Sequence, residues 1–373
     1  MTAAEEPRAG VGKRPWDKYP RDLHPKQRIF LSVDAIGSTR FKSSLAEKGH
    51  SPDGWAEVFA EFLPEVVVVY WNELVKVINK HCPSNCPNPC MPGLSKFKKK
   101  VKRRHTVNVW KYNGDETILT AKLTCKDHHA SLHVLALAET IKELNCSIAK
   151  KFSNKNKGNN FPTRKLRFKG TAWIAGFPVA NIELDLPGQT KRQRIKDFLG
   201  PSIDLGFRLS KFASDNKLII SASLAYLIVK ESDTDEPYKS ADNQEDYRLP
   251  LCFGGYAEVK GVKNDKHPLI WYAVNKTEEN TLCHVETKEL RKFLEEGPLK
   301  NMKILPFVLD DNFSDSEYEE MYKNAVDAQK KISGSPFYKK LERPATIPES
   351  LSESSLDLDS ASITKRLSFH IQL

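Results

Sequence analysis

IFLSVDAIGSTRFK, residues 29–42, is the stretch on which the reading of this chain turns. An apolar run of β-branched and aromatic residues ends in Asp34, passes through the small-residue turn Ala35-Ile36-Gly37-Ser38-Thr39 and opens into a helix. A carboxylate at a strand's end, beside backbone N–H groups left free at a helix start, can hold a divalent metal and the phosphates it carries. The same pattern also serves as a plain Asp or Ser cap after a buried strand, so it does not stand alone.

A second signal lies at residues 107–121, VNVWKYNGDETILTA, which reads as strand, tight turn at Asn113-Gly114, then strand, with Asp115 at the bend. Such a hairpin can bring Asp115 beside Asp34. Two converging carboxylates suit a pair of Mg²⁺ or Mn²⁺ ions about 3.5–4 Å apart, the arrangement used for phosphoryl chemistry. By itself Asp115 would read as an ordinary turn acid.

With these residues the chain resembles the class III nucleotidyl cyclases, the superfamily of adenylate and guanylate cyclases. Asp34 and Asp115 fall on that family's two metal aspartates, in a D-x-x-G-S-T turn and a G-D hairpin. Residues 197–209, DFLGPSIDLGFRL, are similar to its D-x-x-G-x-x-x-N-x-x-x-R-L segment, and residues 255–262, GYAEVKGV, to a late strand with a triphosphate-binding lysine, here Lys260. The four blocks keep the family's order and cover about residues 29–275.

The resemblance implies an α+β fold, a class III cyclase catalytic domain with a ferredoxin-like βαββαβ core, and places it at residues 28–275. A helical insertion is expected at about 50–105, a basic arm at 1–27, a helical extension at 276–343 and a tail at 344–373 that is disordered by composition. It also implies a homodimer with two shared sites. Asp34, the Ala35 carbonyl and Asp115 would hold two divalent cations, Mn²⁺ or Mg²⁺, and the amides of Gly37, Ser38 and Thr39 would cradle the triphosphate. Arg208 and Lys260 would come from the partner, Arg208 stabilising the transition state because a guanidinium gives phosphate oxygens a fixed fork. Arg208 also reads as a surface pair with Asp204 at i, i+4. Asp204 departs from the family's usual asparagine, since an ionised acid cannot donate and repels phosphate; Ala172 likewise replaces a common glycine.

Lys111 and Asp197 fall where adenylate cyclases keep a Lys/Asp pair for adenine, which points to ATP. Lysine can equally donate to cytosine N3 or uracil O4, while aspartate can accept from an exocyclic amine or uracil N3–H. Pocket size must then decide, and Trp110, Tyr112, Trp173 and Phe198 are near enough in sequence to narrow it. The spelling W-K-x-x-G-D-E and the lack of a sensor module resemble the pyrimidine cyclases of bacterial Pycsar anti-phage systems, which implies cyclic UMP from UTP acting through a cyclic-nucleotide-activated effector. An adenylate cyclase is the alternative, and a nucleotide- or nucleic-acid-binding module without catalysis is another.

Composition sets the bounds. The chain has 373 residues, net charge +10 and 39% hydrophobic residues, so it can bury a sizeable core and favours anionic partners. There is no 18-residue apolar run, and the expectation is a cytoplasmic protein without a membrane span. Seven cysteines, an odd number in a long chain, read as reduced thiols.

Between the two acid blocks, residues 53–80 carry a long helical pattern with a possible bend at Pro64. His81, Cys82, Cys86 and Cys90 have zinc-type side chains at unusual spacing and read as a Pro-rich loop with free thiols. Seven of the nine residues 96–104 are Lys or Arg, a solvated face by the usual rule. Residues 127–152 read as a helix on which His128, His129 and His133 resemble a ligand set but are better read as solvent-facing polar positions near the helix start. Residues 165–179 read as a strand, 218–229 as helix or strand, 231–247 as a polar loop, 249–260 and 268–275 as strands, and 288–296 and 316–332 as helices.

Overall fold

The computed structural model describes residues 26–47, 52–81, 107–123, 129–148, 166–178, 180–187, 194–231, 249–260, 266–275, 284–296 and 315–334. In order these form β1 (Lys26–Ile36), α1 (Ser38–Glu47), α2 (Pro52–His81), β2 (Val107–Asn113), β3 (Glu116–Leu123), α3 (His129–Glu143, running into a π-helical turn at Leu144–Ile148) and β4 (Arg167–Phe177). There follow β5 (Ile182–Pro187), β6 (Arg194–Leu199), α4 (Pro201–Leu209), β7 (Lys217–Ile220), α5 (Ala222–Glu231), β8 (Leu251–Glu258), β9 (Lys266–Ala273), α6 (Thr287–Glu296) and α7 (Asp315–Gly334).

The main sheet has the order β2-β3-β1-β4-β7-β9-β8, and only the β4–β7 pair is parallel. Its first four strands with α1, α2 and α3 make the βαββαβ unit in ferredoxin-like order, so the fold is α+β as expected. Strands β5 and β6 pair separately as a two-stranded ribbon, which the sequence pattern does not announce.

Period-2 alternation along β1 divides the molecule into two faces. Ile29, Leu31 and Val33 join the large core with side chains of α2, α3 and α5. On the other face Phe30 joins Trp173, Phe177, Phe198, Ile118 and Ile203. Ser32 and Asp34 continue that second face towards the strand's end, so metal-type and aromatic positions share one stripe.

Helix α2 belongs to the core rather than to an insertion, because its apolar stripe of Val58, Phe62, Val66, Val69, Tyr70 and Leu74 is buried in the large cluster. It runs through Pro64, which removes one intrahelical bond without ending the helix. Phe62 stacks on Phe168 at 4.4 Å. His133 is buried, not solvent-facing, with Nδ1 2.6 Å from the Tyr70 hydroxyl. A helix rotates its residues by about 100° each, and position 133 falls on the apolar side. Residues 217–231 are strand and then helix, the break coming at Ser221, whose N–H donates to the Ala172 carbonyl.

Helix α6 is likewise part of this body. Leu290 and Leu294 are buried in the large core and the Phe293 ring lies 4.6 Å from Phe253. Among the described residues no helix is long and apolar enough to cross a membrane. The arm before residue 26, Cys82, Cys86 and Cys90, the basic run 96–104, His128, the loop 232–248 and the tail from 344 lie outside the described residues.

Candidate active site

Asp34 stands near the end of β1, directly opposite Glu116 on β3 and Lys169 on β4. Directly opposite residues of antiparallel strands share a face, so an acid–acid–lysine rung crosses the middle of the sheet. Lys169 Nζ is 3.2 Å from Asp34 Oδ2 and also donates to the Ser210 carbonyl at 3.2 Å. Glu116 is buried and accepts from the Ser32 hydroxyl and, at 3.3 Å, from Asn113 Nδ2, so it is already committed.

Burial pushes the Asp34 carboxyl up to about 6. Lys169 offsets part of that rise, and the charges of Asp115 and then Glu116 add to it. In the β1–β3 ladder Asp115 immediately precedes Glu116, the residue opposite Asp34. Asp115 has Lys42 Nζ at 4.0 Å. Among the described residues no group of three or more His, Cys, Asp or Glu gathers into a metal cluster. A divalent cation here would meet two carboxylates with backbone oxygen, all hard donors of the kind Mg²⁺ and Mn²⁺ prefer, and would share Asp34 with the Lys169 ammonium.

Next to this acid end the chain turns at Gly37, whose φ of 75° is left-handed and suits a residue without Cβ. Phe41 N–H donates to the Gly37 carbonyl at 2.9 Å, so α1 begins immediately and the amides of its first turn have no helical acceptor. Ala35 turns its methyl into the large core. Arg167 lies opposite Ile36 in the ladder, and its guanidinium is 4.0 Å from Asp215.

The two base-reading candidates meet. Lys111 Nζ is 3.2 Å from Asp197 Oδ1, although one residue is on the main sheet and the other on the ribbon. Trp110 supplies the frame: its Nε1–H donates to the same Oδ1 at 3.0 Å, and its ring lies 4.0 Å below the Lys111 ammonium. Phe198 N–H adds a third donor at 3.0 Å. All three donors use Oδ1, so the carboxylate is fixed in orientation as an acceptor. Of the aromatic residues expected to narrow a base pocket, Trp173 and Phe198 instead form a buried floor with Phe30, and Tyr112 points outward; Trp110 alone stands beside Lys111.

Helix α4 is held by contacts that sequence spacing does not disclose. Buried Asn181 accepts from Ser202 N–H at 3.1 Å, satisfying one free amide of the first turn, and donates to the Gly176 carbonyl at 3.0 Å. Gly206 lies against the Trp173 indole, where a Cβ would come within 2.2 Å of the ring. Two positions on, Arg208 is half-buried and Asp204 exposed, and no ion pair joins them among the described residues; the i, i+4 pairing does not form. Lys260 is exposed two residues beyond β8, not within it. No hydrogen bond or ion pair among the described residues links Arg208 or Lys260 to the Asp34 end of the same chain.

No family model and no curated protein matches the chain. Solved structures similar to it include the adenylyl cyclase CyaB from P. aeruginosa, at 14% identity over 68% of this chain and 97% of that one, with a TM-score of 0.39. The guanylyl cyclase Cya2 is similar at 12% identity over 68% and 94%, TM-score 0.38. The guanylate cyclase domain of RhGC from Catenaria anguillulae, in complex with GTP, is similar at 12% identity over 67% and 98%, TM-score 0.35. Overlaps of this size leave the function to be argued from the residues of the site.

Proposed function

We propose that this chain is a nucleotidyl cyclase that converts a nucleoside triphosphate to a 3′,5′-cyclic nucleotide and pyrophosphate. The observation that carries this reading is the β1–β3 register, which sets Asp34 opposite Glu116 and so near the Asp115 bend, close to the first-turn amides of α1 and on the sheet face that also carries the Lys111–Asp197 pair. Two divalent cations at the aspartates would lower the pKa of the ribose 3′-hydroxyl and neutralise charge on the phosphates. Gly37, Ser38 and Thr39 orient the triphosphate by their amides, and Lys111 and Asp197 hold the base edge. Arg208 and Lys260, which have no partner at this end in their own chain, reach the phosphates from the second subunit of a homodimer.

For the base we propose a pyrimidine, with UTP preferred: Lys111 donates to O4 and Asp197, fixed as an acceptor, takes N3–H. Cytosine lacks that N3–H, and a mispaired buried polar group costs roughly 1–3 kcal/mol, about ten- to a hundredfold in selectivity. The W-K-x-x-G-D-E spelling supports a cytoplasmic anti-phage cyclase whose cyclic UMP activates an effector. The formed Lys111–Asp197 pair also favours a second reading, an adenylate cyclase. Supplying ATP, GTP, CTP and UTP separately with Mn²⁺ tests both: cyclic UMP as main product is expected, cyclic AMP would move the assignment to the second reading, and no product from any would refute cyclase activity.

A further inference from the structure

The rung Glu116–Asp34–Lys169 contains a lysine that the two-carboxylate arrangement does not call for. We infer that Lys169 is an internal counter-cation: it neutralises Asp34 in the metal-free protein and must be displaced before Asp34 can take a divalent ion. The inference rests on the reading of Asp34 as a metal ligand and adds to it what sets the metal's affinity.

Three observations carry it. Lys169 is not a surface residue that happens to reach an acid, because β4 lies inside the sheet between β1 and β7, and the ladder fixes Lys169 opposite Asp34. Its side chain is only 18% exposed and that of Asp34 24%, so water screens the pair little. Its ammonium is also held at a second point, the Ser210 carbonyl at 3.2 Å, which keeps it over Asp34 instead of sweeping through solvent. Asp115 is paired more loosely, with Lys42 Nζ 4.0 Å from Oδ1.

A divalent ion on Asp34 Oδ2 and an ammonium on the same oxygen cannot coexist without strong repulsion at low screening. Metal entry is therefore an exchange, and the displaced ammonium also releases its bond to Ser210, two residues beyond Arg208. Lys169 thus lowers the affinity for metal alone and favours loading together with an anionic triphosphate, whose charge compensates the freed lysine.

The test is direct Mn²⁺ binding, followed by the electron paramagnetic resonance of free Mn²⁺ without nucleotide, on the full chain. Lys169→Met should bind Mn²⁺ about tenfold tighter than wild type, Lys169→Gln should behave alike, and Lys169→Arg, which keeps the charge, should stay near wild type. Unchanged or weaker binding in both neutral variants, with thermal melting showing them folded, would overturn the inference. Asp34→Asn separates the two layers. If it abolishes binding while Lys169→Met changes nothing, only the role of Lys169 fails; if it binds like wild type, the metal assignment fails and the inference with it.

Discussion

Gly206→Ala probes how the aromatic floor positions α4. The new Cβ would lie 2.2, 2.3 and 2.6 Å from three indole carbons of Trp173, where ordinary contact begins at 3.4 Å. At least 3.4 − 2.2 = 1.2 Å must be found. Trp173 cannot supply it, being buried and stacked on Phe30 at 5.5 Å. The helix must move and carry Arg208 with it. Overpacking costs about 1–3 kcal/mol, and the better helix propensity of alanine returns about 1 kcal/mol, so a net loss of up to about 2 kcal/mol is expected. In a domain of this size that lowers Tm by up to roughly 8 °C. A displacement of about 1 Å at a catalytic group can cost 10²-fold, so kcat should fall far more than the stability loss alone explains. Thermal unfolding and steady-state turnover of the same preparation measure both. A variant that melts at or above wild type with unchanged turnover would refute the idea that Gly206 seats this helix.

Asp34→Ala and Asp115→Ala should each abolish cyclisation while the oligomer persists by sedimentation; substantial product from either would count against the two-metal assignment. Mixing Asp34→Ala with Arg208→Ala should restore activity through one working site per heterodimer. A mixture that stays inactive despite demonstrated subunit exchange would place each site within one chain. Trp110→Phe removes the indole donor from Asp197 and should reduce discrimination among the four triphosphates about ten- to a hundredfold in kcat/KM ratios, whereas unaltered ratios would show that Trp110 only packs. For Glu183, burial alone would raise the carboxyl, but the Lys196 hydrogen bond and the charges of Arg28, Lys26 and Lys196 hold it at about 2, below the ordinary 4.5. Its stabilisation is therefore complete above pH 4.5 and is lost as pH falls towards 2. Glu183→Gln should lower stability in urea by about 2–3 kcal/mol at pH 7, allowing for partial screening at the exposed Lys196 end, and the gap should close over that window. A gap independent of pH would mean that packing, not charge, is lost.

The sequence by itself determined the local elements whose signals are local. Strand periodicity, the left-handed glycines at 37 and 114 and the acid after each apolar run are short-range facts, and β1, the β2–β3 hairpin and the start of α1 follow from them. The order β2-β3-β1-β4 was reachable only through resemblance, since nothing in composition says which strands adjoin. Tertiary structure alone decided the rest, because the deciding contacts join residues far apart in the chain. Lys169 faces Asp34 only through the β1–β4 register, and Asn181 satisfies an α4 amide only once the ribbon has folded back. Trp110 looked like a wall of the base pocket but proved to be the donor that fixes Asp197. His133 looked exposed because it is a polar residue near a helix start, yet its helical phase turns it into the core against Tyr70. The pairing of Arg208 with Asp204 failed for the converse reason: i, i+4 spacing permits an ion pair, but the seating of α4 on Trp173 leaves Asp204 in solvent and Arg208 half-buried.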